Sequence, residues 1–203
     1  MLLLFSYLRE DNVKVLQTKD GKYILPILKN GSSSLENLVE KYPNDYKFIP
    51  LDDSVKELTV FIRDPIERFC SALAMQSRLH SIEISTLTDL VLHNKIPVID
   101  DHIIPQFYFL LRILRDVKFS FKDITELNQI KNIEHLNKTK NNIDVDSLPL
   151  DRINYLLTED IVLYNKFLGK TAKISDIMDE IKKESNYITD LKYFERVVKL
   201  YME

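Results

Sequence analysis

Residues able to hold an anion stand close together in "LKNGSSS", Leu28 to Ser34. Here an apolar run gives way to Lys29 and Asn30, then to Gly31 and the hydroxyls of Ser32, Ser33 and Ser34. A glycine at a strand-to-helix turn lets backbone amides approach a phosphate, and the helix N-terminus presents free N–H groups and a positive dipole end. Lys29 adds a point charge at the mouth of the loop. The ordinary alternative is a turn followed by a serine cap. A nucleotide-triphosphate loop would read G-x-x-x-x-G-K-[ST] with its lysine late. In this chain the lysine precedes the glycine and the second glycine is missing.

A second set follows in "VFIRDPIERFCSAL". Arg63 closes an apolar run, Asp64-Pro65 turns the chain, and Ser71 lies on the next segment. An arginine at the carboxyl edge of a parallel strand points into the crevice where open α/β sheets bind ligands. Guanidinium and hydroxyl together suit a phosphate monoester. The competing reading is a surface set of Arg63, Asp64, Glu67 and Arg68 with a capping proline.

The elements that must position these residues are legible in outline. "LLLFSYL" (Leu2 to Leu8) predicts a first short strand, and "VKVLQT", "KDGKY" and "YILPIL" (Tyr23 to Leu28) predict two more joined by an Asp-Gly turn. Ser33 or Ser34 is the expected cap of a helix running to about Lys41. "ELTVFIRD" (Glu57 to Asp64) predicts a buried strand, which Pro65 ends while opening the helix "PIERFCSALAMQSRL". "STLTDLVLHN" predicts a helix capped by Ser85 or Thr86, and "DDHIIPQFYFLLRILRD" a mostly buried one. "VKFSF" predicts another strand, followed by a helix around "ITELNQIKNI", a polar loop over "HLNKTKNNIDVDSLP", and a helical final third. Strands alternating with helices imply one α/β domain over residues 1–203, a small parallel sheet flanked by helices.

Bulk composition narrows the function classes. The 203 residues are 45% hydrophobic and 29% charged, as in a soluble globular chain. A net charge of -3 and a pI near 5.9 argue against nucleic-acid coating. Cys70 is the sole cysteine, which excludes an intrachain disulfide and a cysteine-rich zinc site. No apolar run reaches the roughly 18 residues that cross a bilayer. "MLLLFSYLRE" makes a poor signal peptide. A cytoplasmic location without membrane partners is the expectation.

Taken together, "KNGSSSL" and "RDPIERFCS" resemble the two motifs of carbohydrate-type sulfotransferases that use 3′-phosphoadenosine 5′-phosphosulfate (PAPS). "DDHIIPQ" (Asp100 to Gln106) is similar to the Asp-x-His-x-x-Pro-Gln segment of that family's chondroitin and HNK-1 branch. "HLNKTK" resembles its late loop, and "NYLLTEDIVLYNKFL" its C-terminal tyrosine and aspartate pattern. The likeness runs from about Tyr23 to Leu168. It implies a P-loop-like fold and sulfuryl transfer from PAPS to an acceptor hydroxyl, with a carbohydrate the expected class. The chain lacks the stem, anchor and cysteines of the Golgi enzymes, so the resemblance implies a minimal microbial or viral version.

The same resemblance assigns roles. Lys29, Asn30, Gly31, Ser32, Ser33 and Ser34 would hold the 5′-phosphosulfate, with Lys29 also serving the departing phosphate. Arg63 and Ser71 would hold the 3′-phosphate, and Lys138 and Thr139 of the late loop would close over the nucleotide. His102, oriented by Asp100 or Asp101, is the candidate base for the incoming hydroxyl, and Glu36 is the other. Tyr42, Tyr46, Phe107 and Tyr108 are candidates for a sugar-stacking wall, though aromatics there are also ordinary core. No metal is required by this scheme. The rival readings are a small-molecule or nucleotide kinase on the related scaffold and a nucleotide-binding module without catalysis.

Overall fold

The computed structural model describes residues 13–92, 105–113, 116–134 and 143–184. Its centre is a six-stranded mixed sheet in the order β3-β1-β2-β4-β5-β6. The strands are β1 (Lys14–Thr18), β2 (Tyr23–Leu25), β3 (Tyr46–Pro50), β4 (Glu57–Ile62), β5 (Lys118–Asp123) and β6 (Thr171–Lys173). The helices are α1 (Ser32–Lys41), α2 (Pro65–His80), α3 (Ile84–Leu92), α4 (Gln106–Leu111), α5 (Leu150–Leu156), α6 (Thr158–Phe167) and α7 (Ile174–Glu184). No described helix is long and apolar enough to cross a membrane.

Only the middle of the sheet is parallel. β2 pairs with β4 and β4 with β5 in parallel, whereas β1 runs antiparallel to both β2 and β3, and β6 antiparallel to β5. The expected parallel sheet is therefore corrected to a mixed one. The reason is local for β1 and β2. The Asp20-Gly21 turn, with Gly21 at φ 80, folds them into a hairpin that places Leu16 opposite Ile24. The edge strands β3 and β6 escape sequence reading because "YKFIP" and "TAK" are too short and too exposed to alternate cleanly.

Period-two alternation on β4 divides the core between two faces. Leu58, Val60 and Ile62 join Phe107, Leu110, Leu163 and Phe167 on the face covered by α4, α6 and α7. Phe61 turns the other way, onto Leu35 and Leu38 of α1 and Leu127. A third cluster packs Phe69 and Leu73 of α2 against Leu87 of α3 and Ile153 of α5.

Several boundaries differ from expectation for identifiable reasons. β2 stops at Leu25 instead of Leu28 because Pro26 has no N–H for the ladder. α1 is capped by Gly31 with no side-chain bond, not by Ser33 or Ser34. α3 begins at Ile84, so Ser85 and Thr86 lie inside it. The segment Ile124–Gln129 is a 3₁₀ helix with a complete capping box from Asp123 and Glu126. The helix expected over Asp100 to Asp116 is described only at Gln106–Leu111.

Candidate functional site

The three parallel strands end side by side, and each hands the chain to a turn bearing polar residues. After β2 come Lys29, Asn30 and Gly31. After β4 come Arg63 and Asp64, and β5 ends on Asp123, level with Ile62 of β4. This is the carboxyl edge of the sheet, where open α/β folds bind ligands. The structure thus brings the two sequence motifs onto neighbouring strands, since Leu25 of β2 pairs with Val60 of β4.

The first turn is backbone-strained. Lys29 has φ 67 and Gly31 φ 84, so a lysine as well as a glycine is held left-handed. Such strain in a bulky residue costs roughly 1–3 kcal/mol and concentrates at functional sites. Among the described residues the amides of Ser32 and Ser33 have no backbone acceptor, whereas those of Ser34 and Leu35 bond to Gly31 O. The lack of a side-chain cap leaves this N-terminus for an anion to satisfy. Ser32 and Ser33 are half-buried at its rim. Ser34 is 2% exposed and faces the core, so its hydroxyl does not reach the rim.

Gly31 is needed for a second reason. A Cβ there would lie 2.5 Å from Leu127 Cδ2 and 3.6 Å from Ile124 Cδ1. We expect Gly31→Ala to lose about 2–4 kcal/mol, from left-handed strain together with overpacking against Leu127. Gly21→Ala, with φ 80 and open space around it, should lose only about 1–2 kcal/mol. Urea unfolding of both variants checks this, and equal losses would show that Leu127 yields freely.

Asn30 is 2% exposed and turned inward. Its Nδ2 donates to Phe61 O at 2.9 Å and to Gln106 Oε1 at 2.5 Å, so any contact with a ligand falls to its backbone. Its Oδ1 has no hydrogen-bond partner among the described residues. At the second turn, Asp64 caps α2 by accepting from Glu67 N at 2.9 Å. The Arg63 side chain is 27% exposed, with Nε 3.3 Å from Glu67 Oε2, so the guanidinium is partly open to solvent. Ser71 is 3% exposed on the inner side of α2.

Behind the two turns lies a buried polar network that sequence reading missed. Gln106 Oε1 also accepts from Arg63 N at 2.9 Å, and Gln106 Nε2 donates to Arg63 O at 2.9 Å. Asp160, wholly buried on α6, accepts from Gln106 N and Phe107 N, each at 2.8 Å. Arg68, 1% exposed, donates from Nε and one terminal nitrogen to Leu28 O at 3.3 and 3.2 Å and lies over the Phe109 ring. Burial pushes the Arg68 guanidinium down to about 10 against the pull of Asp160, which leaves it charged at neutral pH. Burial likewise pushes the Asp160 carboxyl upward, opposed by Arg68 and the two amides. Arg68 is thus no surface residue. One signal for Asp160 was present: Leu157, Asp160, Leu163 and Phe167 recur at helical spacing, which puts a carboxylate on an apolar stripe.

At β5, Tyr164 donates to Asp123 Oδ2 at 2.9 Å, and burial with this bond pushes the phenol up to about 12. Burial would raise Asp123, but the bonds from Thr125 and Tyr164 hold it below the usual carboxylate range.

Of the remaining expectations, His102, Lys138 and Thr139 lie outside the described residues, as do Asp100, Asp101 and the strand expected over Leu2 to Leu8. Glu36 is exposed on the second turn of α1. The sugar-stacking wall is corrected in part: Tyr46 and Phe107 are core residues, and the Tyr46 hydroxyl is bonded to Lys131 O. Cys70 is a buried thiol in no disulfide. Comparisons with protein-family models, with curated proteins and with solved structures find no match to this chain.

Proposed function

We propose that this chain is a sulfotransferase that moves a sulfuryl group from PAPS to an acceptor hydroxyl, with a carbohydrate as the acceptor class. The observation that carries the reading is the placement of the Lys29–Gly31 turn and the Arg63 turn at the carboxyl ends of adjacent parallel strands. Two anion sites on one crevice suit a nucleotide with phosphates at both its 3′ and 5′ positions. The motif spacing that resembles the PAPS-dependent family supports it independently.

The residues present fit such a donor, which brings an activated sulfuryl group on a phosphate leaving group. The uncapped amides of Ser32 and Ser33 are free to bind the 5′ end, and Gly31 supplies the left-handed turn that presents them while packing against Leu127. Lys29 supplies a cation where negative charge grows as the phosphate departs. Arg63 supplies the fork for a 3′-phosphate, and the motif resemblance assigns the buried Ser71 hydroxyl of α2 to the same group. A nucleotide lacking the 3′-phosphate leaves Arg63 without that partner, which lowers its affinity.

A nucleotide kinase is the rival, and it needs a late-loop lysine that the sequence lacks. Thermal unfolding with adenosine 3′,5′-bisphosphate, set against ATP with magnesium, separates the two. At a hundred times Kd the bisphosphate should add about 2.7 kcal/mol, or roughly 5–10 °C in a domain of this size. A shift with ATP and magnesium alone would replace the sulfotransferase by the kinase.

A further inference from the structure

We propose that Gln106 is a positioning residue that welds the two anion-binding turns into one rigid cradle and so sets selectivity for a 3′-phosphate. The proposal rests on the nucleotide reading above and assigns to the buried network a role that reading does not contain.

The Gln106 carboxamide is fully buried and meets Arg63 as another peptide group would, accepting from its N–H and donating to its C=O at 2.9 Å each. That pairing extends β4 by one rung made from a side chain. It fixes the Arg63 backbone, and with it the direction in which the guanidinium leaves the strand. The same Oε1 accepts from Asn30 Nδ2 at 2.5 Å, which ties the β2 turn to the same point. Asn30 is held a second time through Phe61 O, and Arg68 of α2 returns to Leu28 O, so the bonds close a ring around both turns. Asp160 anchors the ring to α6 by gripping the amides of Gln106 and Phe107.

The ring fixes backbones and, among the described residues, leaves the Arg63 head bonded to Glu67, whose side chain is 67% exposed. A ligand bearing two phosphates on one ribose spans a fixed distance. It gains from both sites only if they are held at that spacing before it arrives. Loosening the clamp leaves each site able to take an anion alone and removes the advantage of taking two.

Two variants test this. Gln106→Met removes every bond of the carboxamide at similar length, and Asn30→Ala cuts both bonds of the β2 turn, to Gln106 and to Phe61 O, while leaving the Gln106–Arg63 pair. Calorimetric titration gives the ratio of Kd for adenosine 5′-monophosphate to Kd for adenosine 3′,5′-bisphosphate. The ratio should fall by about tenfold or more in both variants, and in Gln106→Met the monophosphate Kd should move by less than about threefold. Lost folded protein would weaken both ligands alike, so an unchanged ratio overturns the proposal. Amide exchange reads the clamp without any ligand. Residues 28–31 and 63–64 should exchange about tenfold faster in both variants while Leu58 and Val60 keep wild-type rates. Wild-type exchange in both turns would overturn the clamp. A wild-type protein that prefers neither nucleotide would overturn the cofactor reading and the selectivity role together, with the exchange result still deciding the clamp.

Discussion

Asp160→Ala should lower the unfolding free energy by about 3–5 kcal/mol, a large share of the 5–15 kcal/mol typical of a domain. The carboxylate is fully buried, and its two oxygens satisfy the amides of Gln106 and Phe107 at 2.8 Å. Alanine leaves both donors buried without an acceptor. It also removes the negative charge that offsets the desolvation of Arg68. Asp160→Asn keeps one acceptor oxygen but turns an NH2 donor toward the other amide and removes the same charge, so its loss should fall only a little below that of alanine. Arg68→Met combined with Asp160→Leu removes both charges but still strands the two amides, so it should recover only part of the loss. Urea unfolding of the three variants separates charge from hydrogen bonding. A loss below about 1 kcal/mol for Asp160→Ala would mean that water replaces the carboxylate.

On the proposed sulfotransferase reading, Lys29→Met should reduce sulfuryl transfer by about 10²–10³-fold, the range seen when one group stabilising transition-state charge is removed. Methionine keeps the unbranched stem and inherits the same left-handed backbone at φ 67, so the backbone strain at this position is unchanged. The measurement is release of adenosine 3′,5′-bisphosphate from PAPS in the presence of hydroxylated sugars, with binding of the bisphosphate titrated in parallel. The role assigned to Lys29 requires kcat to fall with nucleotide Kd changed less than about tenfold. Equal turnover in wild type and variant would remove Lys29 from the reaction. A parallel loss of binding would make it a binding residue only.

The sequence by itself determined the parts that local chemistry controls. Asp20-Gly21 specified a hairpin because few turns match the twist of paired strands. Pro65 after Asp64 specified where β4 ends and α2 begins, since proline fits a first helical turn and no central strand. The two candidate anion turns, at Lys29–Ser34 and at Arg63, could be placed after apolar runs for the same reason, because strand-to-helix junctions leave signatures within a few residues. Tertiary structure alone decided that those turns stand on neighbouring strands, for strand order depends on packing between segments far apart in sequence. It alone turned the Asn30 and Ser34 side chains inward, buried Arg68, and brought Gln106 and Asp160 together across 54 positions. A buried polar side chain looks like any surface one until its partners are known, and those partners are set by contacts that no spacing rule encodes. The sequence placed the residues that would face a ligand, whereas the fold supplied the network that holds them still.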